Sequence, residues 1–77
     1  MFYSGLVVVC RPGSYETVKA AVAAMPGVEV HQCDPGNNRF VAVIESETVN
    51  GESDAFRDIR LTEGVLDVRL VIHREDA

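Results

Sequence analysis

The segment Pro26-Gly27-Val28-Glu29-Val30 ends a helical pattern and begins a strand, and Glu63-Gly64-Val65-Leu66-Asp67-Val68 repeats this transition in the second half of the chain. The strand and helix patterns before the two transitions lie at Leu6–Cys10, Tyr15–Met25, Phe40–Ile44 and about Asn50–Arg60. Two βαβ units of this size predict one α+β, ferredoxin-like βαββαβ domain over residues 1–77, with four antiparallel strands in the order 4-1-3-2. Both helices then cover one face of the sheet. The other face, which we call the open face, carries no helix.

The boundaries of the elements follow from periodicity and from turn residues. Strands are expected at about Ser4–Arg11, Val28–Cys33, Arg39–Ser46 and Val65–His73. The first helix begins after Ser14, a good N-cap, and its apolar stripe consists of Val18, Ala21, Val22 and Met25. Gly51 interrupts the start of the second helix, so its firm part is expected from about Ser53, with Ala55, Phe56 and Ile59 facing the sheet. The tail Arg74–Ala77 is expected to fray.

Composition limits the classes of function. The chain has 77 residues, of which 47% are apolar, and it carries a formal net charge of −5. The apolar content indicates a folded domain, and the length allows only one. A nucleic-acid partner is not expected, because phosphate binding draws its affinity from Lys and Arg. A basic peptide or a cationic ligand suits this charge better.

Neither an export signal nor a disulfide is expected. The N-terminal residues 1–5 include no basic residue, and the apolar run that follows is too short for a signal core or a membrane span. The chain is therefore expected to stay in the cytoplasm without inserting into a membrane. Strand 3 separates Cys10 from Cys33, and two inter-strand steps of roughly 9–10 Å are too long for a disulfide. Two free thiols are predicted.

Alternation along each strand assigns side chains to the two faces of the sheet, because a charged side chain rarely enters a core unpaired. Arg11, Arg39 and Glu45 fix the two central strands in this way. The residues predicted on the open face are Gly5, Val7, Val9, Arg11, Glu29, His31, Cys33, Arg39, Val41, Val43, Glu45, Asp67, Arg69, Val71 and His73. Those predicted beneath the helices are Leu6, Val8, Cys10, Phe40, Ala42, Ile44, Val68, Leu70 and Ile72.

The open face therefore presents an apolar patch with a polar rim, a combination that is typical of binding surfaces. The patch consists of Val7, Val9, Val41, Val43 and Val71, its acidic rim of Glu29, Glu45 and Asp67, and its nearby basic residues of Arg11, Arg39 and Arg69. Half-burying the valines is worth on the order of 3–5 kcal/mol, whereas micromolar binding needs about 8 kcal/mol. A partner must therefore add polar contacts. The valines could also serve strand propensity alone, or form a homodimer contact.

No catalytic or metal-binding motif is visible. His31 and His73 are assigned to opposite edge strands, and His31 with Cys33 supplies only two metal ligands. The first strand–helix loop, Arg11-Pro12-Gly13-Ser14, has neither a Cys-x-x-Cys pair nor the glycine spacing and lysine of a phosphate loop. We therefore expect no enzyme activity, no metal and no cofactor.

Four segments together resemble the NapD family, small cytoplasmic chaperones of the periplasmic nitrate reductase, over nearly the whole chain. They are Ser4–Val9, Met25–Val30, Arg39–Glu47 and Glu63–His73. The resemblance implies binding of the twin-arginine signal peptide of the nitrate reductase catalytic subunit, which holds back export until the molybdenum cofactor is inserted. It also implies that the peptide lies as a helix against the sheet. The first turn of the second helix departs from the family pattern.

The resulting hypothesis places the signal peptide on the open face. The valines take its apolar side, and Glu29, Glu45 or Asp67 pair with its arginines. One alternative is a regulatory or dimerisation module that senses a small ligand where two sheets pair. Another is β-augmentation, in which a peptide adds at the strand 2 edge. The sequence leaves the oligomeric state open.

Overall fold

The computed structural model describes residues 1–75, with side chains described for residues 1–72. The strands are β1 (Phe2–Cys10), β2 (Val28–Asp34), β3 (Arg39–Ser46) and β4 (Val65–Glu75), and the helices are α1 (Tyr15–Ala23) and α2 (Val49–Arg60). A short 3₁₀ turn, Pro35–Asn37, joins β2 to β3. The sheet is antiparallel in the order β2-β3-β1-β4, which is the predicted order read from the other side. The predicted ferredoxin-like fold is confirmed.

The core lies between the sheet and the two helices. Its sheet side is formed by the inward residues of the central strands, all buried: Leu6, Val8, Cys10, Phe40, Ala42 and Ile44. Val18 and Val22 of α1 and Ile59 of α2 cover them, and Ala55 and Phe56 pack against the cluster. Alternation therefore assigned β1 and β3 correctly. Of the predicted α1 stripe, Met25 lies partly buried beyond the helix and Ala21 is exposed.

The second helix begins earlier than the sequence suggested. Thr48 is its N-cap, and the Thr48 hydroxyl accepts a hydrogen bond from the Gly51 backbone N–H at 2.9 Å. Gly51 fits this turn because there is no room for a side chain: a Cβ at that position would lie 2.5 Å from the Ser46 Oγ. Its lack of a side chain lets the turn fold tightly against the end of β3. The prediction that the firm helix begins near Ser53 was wrong, since α2 starts at Val49.

Two extra residues in the edge strand β4 change which of its side chains point to each face of the sheet. Leu6 pairs with Leu70 and Gly5 with Ile72, so Val71 is an inserted residue between them. Leu66 is a second inserted residue, because it lies between the residues that pair with Val9 and Cys10. One inserted residue reverses alternation beyond it. Ile72 therefore shares the open face with Gly5, and its predicted burial was wrong. Leu70 keeps its inward register but is 56% exposed, because β4 has no further strand beside it.

The strand β2 carries a comparable irregularity. His31 pairs with Val41 and Asp34 with Arg39, so β2 holds one residue more than β3 between these pairs. Gln32 absorbs the distortion with a left-handed φ of 47°. Cys33 then lies beside the Tyr15 hydroxyl on the helix side of the sheet, which contradicts its assignment to the open face. Both cysteines are free thiols, as predicted.

The C-terminal end of the chain is only partly described. β4 continues to Glu75, so Arg74 and Glu75 belong to the sheet and do not form a frayed tail. Asp76, Ala77 and the side chain of His73, for which the sequence made predictions, lie outside the described residues. Within the described part, neither helix has the length and apolar character needed to cross a bilayer.

Candidate functional site

The antiparallel register arranges the open face into rows of cross-strand neighbours. Read from β2 to β4, the first row is Asp34, Arg39, Val9 and Asp67; the second is His31, Val41, Val7 and Arg69; the third is Glu29, Val43, Gly5 and Ile72. A fourth row holds Glu45, Tyr3 and, by its backbone register, Arg74. Neighbours within such a row lie about 4.5–5.5 Å apart, so their side chains can contact one another.

Four valines occupy the centre of this surface. Val7 and Val9 come from β1, Val41 and Val43 from β3, and each side chain is only partly buried although no helix covers it. We call these four residues the valine patch. The structure thus brings together four of the five valines that the sequence assigned to it. Gly5, beside Val43, is buried because the Ile72 side chain packs over it, and an added Cβ would lie only 3.2 Å from the Ile72 Cγ2.

Two other sequence-derived candidates lie apart from the valine patch. Val71 is 65% exposed at the β4 edge and, as an inserted residue, has no register partner on β1. Arg11 follows the last residue of β1 and is exposed, and its backbone N–H donates to the Gly64 carbonyl at 2.7 Å. The strand register therefore does not fix which face the Arg11 side chain covers.

Tyr3 and Ile72 are open-face residues that the sequence reasoning missed. Tyr3 has the same parity as Gly5 and Val7, but the strand was predicted to begin only at Ser4. Ile72 was assigned inward because the insertion at Val71 leaves no mark in the hydropathy pattern. For Tyr3 a usable signal existed, since Phe2-Tyr3 is a strand-favouring aromatic pair directly before the β1 pattern.

Most rim charges on the open face are already paired. Glu29 Oε2 lies 3.0 Å from His31 Nε2, Arg69 Nε donates to Asp67 at 3.0 Å, and Arg39 Nε lies 3.4 Å from Asp34 Oδ2. The hydrogen bond from Arg69 lowers the pKa of the Asp67 carboxyl. A hydrogen bond from the Asn37 side chain, followed by the contact with Arg39, lowers the pKa of Asp34. Both carboxylates are therefore ionised and engaged at neutral pH.

Glu45 differs from these carboxylates. It is exposed at the end of β3, and within the described part of the chain its carboxylate takes part in no ion pair or side-chain hydrogen bond. Its neighbour on the β1 side is Tyr3. On the β2 side its backbone N–H donates to the Gly27 carbonyl at 2.7 Å, and Gly27 has no side chain to cover it. Glu45 is thus an open acidic position beside an aromatic ring.

A recess of about 240 Å³ opens at the other end of the open face. It is lined by Val7, Gln32, Asp34, Arg39, Phe40 and Val41. The inserted residue in β2 forms one wall, because it moves Gln32 out of the regular ladder. A recess of this size, with apolar walls and a polar margin, can take one apolar side chain of a partner.

The described residues contain no group of three or more His, Cys, Asp and Glu side chains placed to hold a metal ion. His31 and Cys33, which the sequence put on one face, lie on opposite faces because of the distortion at Gln32. The arrangement on the open face suits binding, with an apolar centre and charged margins.

Comparison with known proteins identifies the family. The family model described as NapD protein matches residues 3–77. The chain belongs to the NapD family. It is 30% identical over 71 residues to the protein called Chaperone NapD in Escherichia coli K12, and this alignment covers 92% of this chain and 82% of that protein. The same figures hold for Chaperone NapD of Shigella flexneri. The predicted resemblance is confirmed, and the family is one of chaperones.

Solved structures agree with this NapD-family fold. The solution structure of the E. coli Tat proofreading chaperone protein NapD superimposes with a TM-score of 0.87 at 28% identity, over 97% of this chain and 80% of that one. A crystal structure of a Thermus thermophilus protein gives a TM-score of 0.80 at 22% identity, over 100% of this chain and 96% of the other. A hypothetical protein from Pyrococcus horikoshii gives 0.81 at 16% identity, over 100% and 93%. The last two show the fold alone.

Proposed function

We propose that this chain is a cytoplasmic chaperone that binds the twin-arginine signal peptide of the catalytic subunit of the periplasmic nitrate reductase. Binding holds back export until the molybdenum cofactor has been inserted. The peptide is the partner, and the chain itself catalyses no reaction. Membership of the NapD family supports this role, as does similarity to an E. coli protein described as a Tat proofreading chaperone.

The observation that carries the proposal is the valine patch on the helix-free face. An α-helix is about 10–12 Å wide and strands are spaced by about 4.8 Å, so one helix covers the two central strands. Those strands, β1 and β3, carry all four valines. The stretch from Arg39 to Glu45 extends over about 20 Å, which matches about 13 residues of helix. The open face therefore fits the apolar stretch of a signal peptide in both dimensions.

The energetics require both apolar and polar contacts. Removing the remaining exposed area of the valines from water is worth on the order of 3–5 kcal/mol, and ordering a flexible peptide costs about 2–5 kcal/mol. The apolar contacts and the ordering cost therefore nearly cancel. Contacts between the carboxylates of the open face and the peptide's arginines must therefore supply most of the net binding free energy. Affinity should then weaken as ionic strength rises.

Titration of a fluorescently labelled twin-arginine peptide into the protein tests the proposal. Val43→Asp and Val9→Asp should each abolish binding, because each puts a charge under the apolar side of the peptide. Leu61→Asp is the matched control, since Leu61 is 75% exposed at the end of α2, in the helix layer. Unchanged affinity in both valine variants, with their circular dichroism spectra intact, would remove the open face from the mechanism.

A dimerisation module is the second candidate, because β4 adds an apolar edge next to the open face. Leu66, Leu70, Val71 and Ile72 are each more than half exposed there. A second copy of the chain could cover that edge. Sedimentation without peptide separates the candidates. A dimer that Val71→Lys dissociates favours the dimerisation module, and a monomer that binds the peptide favours the chaperone.

A further inference from the structure

The carboxylates of the open face differ in whether an ion-pair partner is already beside them. In the first two rows Arg39 pairs with Asp34 and Arg69 pairs with Asp67, and Arg11 follows β1 at that same end. At the opposite end, the fourth row contains Glu45, whose carboxylate makes no ion pair within the described residues. Arg74 shares this row by backbone register alone, since its side chain lies outside the described residues. The charges of the first two rows therefore already compensate one another, whereas the Glu45 carboxylate has no cation beside it within the described residues.

The surroundings of Glu45 suit a guanidinium group. Tyr3 is its direct cross-strand neighbour, about 5 Å away, so one guanidinium can donate hydrogen bonds to the Glu45 carboxylate and lie against the Tyr3 ring. The other carboxylates of the open face are engaged with His31, Arg39 or Arg69 and must give up a partner before binding a new one. Among residues 1–72, whose side chains are described, Glu45 has no such partner to release.

We infer that Glu45, with Tyr3 beside it, binds an arginine of the signal peptide and thereby sets the direction in which the peptide lies. This inference rests on the proposed function. The arginine end of the peptide lies over the fourth row, and the apolar stretch runs across Val43 and Val41 toward Val9. The recess beside Val7 and Gln32 then receives an apolar side chain from the far end of that stretch.

A double-mutant cycle tests the arginine contact. Glu45→Gln should weaken binding of the twin-arginine peptide about fivefold, the upper range for a single partly exposed charge pair. It should leave unchanged the affinity for a peptide in which both arginines are replaced by glutamine. Glu29→Gln is the matched control, because the Glu29 carboxylate is engaged with His31, and it should change affinity less than about twofold. Equal effects of the two variants would overturn the inference.

The direction of the peptide is tested separately. A spin label attached on the N-terminal side of the arginines should broaden the amide signals of Tyr3 and Glu45 and spare those of Val9 and Arg39. Broadening at Val9 and Arg39 instead would overturn the assignment. If the peptide does not bind the wild-type protein at all, the proposed function fails. If the wild-type protein binds the peptide and Val43→Asp abolishes binding, but Glu45→Gln has no effect, then the proposed function stands and only the role of Glu45 fails.

Discussion

Val7 of β1 lies directly opposite Val41 of β3, on the face of the sheet that carries no helix. Both side chains are half-buried, and the next strands outward place Arg69 and His31 beside them. This pair is therefore the centre of an apolar strip bordered by polar groups. Such a strip is costly to leave exposed, and its position explains why we assign binding to the open face and stability to the helix side.

Replacing Val41 with threonine tests the contribution of this pair to binding. Threonine keeps the β-branched shape but puts a hydroxyl under the peptide, so affinity should fall about fivefold to tenfold while the unfolding free energy changes by less than about 0.5 kcal/mol. Val49→Thr, the same change at an exposed position at the start of α2, is the control and should leave affinity unchanged. Peptide titration measures both, and equal affinities would contradict the assignment.

Two glycines with similar backbone angles should respond differently to alanine. Gly13 and Gly27 have φ values of 88° and 73°, but an added Cβ meets nothing within 4 Å at Gly13 and lies 2.6 Å from the Glu45 carbonyl oxygen at Gly27. Gly13→Ala should cost about 1–2 kcal/mol from the left-handed conformation alone, and Gly27→Ala about 2 kcal/mol more from the backbone clash. Urea unfolding measures the difference, and similar costs would be inconsistent with the described turn.

The cap of α2 depends on one hydroxyl. Thr48→Ala removes the acceptor of the Gly51 N–H and should lower the unfolding free energy by about 1 kcal/mol. Thr48→Ser keeps a hydroxyl acceptor and should retain most of the stabilisation from the cap. The amide exchange of Gly51 should also accelerate in the alanine variant only. If alanine and serine behave alike in thermal unfolding and exchange, the helix does not begin at Val49 as described.

Tyr15 should make the protein sensitive to alkali. Burial raises the pKa of Tyr15 to about 12, and the neighbouring Cys33 thiol adds to the shift. The unfolded chain loses this proton near the ordinary value of 10.0, so stability is complete below that pH and falls as pH rises toward 12. Phenylalanine keeps the edge contact with Phe40, whose ring centre is 6.0 Å away, and cannot ionise.

Tyr15→Phe should therefore reduce the loss of stability between pH 10 and 12, measured by urea unfolding at a series of pH values. At neutral pH its stability should be unchanged or higher by up to about 1 kcal/mol, because the buried hydroxyl has no hydrogen bond of regular geometry within the described residues. A large loss of stability at neutral pH would show that the hydroxyl has a structural partner.

The sequence predicted the two central strands well because their ladder is regular. β1 and β3 pair without a register shift, so strict alternation from Arg39 and Glu45 on β3, and from Arg11 directly after β1, assigned the other residues of these strands to the correct faces. The edge strands were predicted less well, because the insertions at Leu66, at Val71 and next to Gln32 leave no hydropathy signal, and each one reverses alternation. Edge strands tolerate such insertions, since only one side of their ladder must pair.

The same contrast applies to the candidate site. Val7, Val9, Val41 and Val43 were found from alternation alone, whereas Tyr3 needed the true start of β1 and Ile72 needed the position of the insertion. The distinction between Glu45 and the engaged carboxylates could not come from sequence, because it depends on which side chains meet across strands. For α2, Gly51 was interpreted as a breaker although it fits the close approach to Ser46.

The most direct test of the open face is an amide chemical-shift map of the protein with the twin-arginine peptide added. Binding at the valine patch predicts the largest shifts along β1 and β3, at Val7, Val9, Val41, Val43 and Glu45, with little change in α1 and α2. Largest shifts in the helices, or confined to the β2 edge, would contradict it.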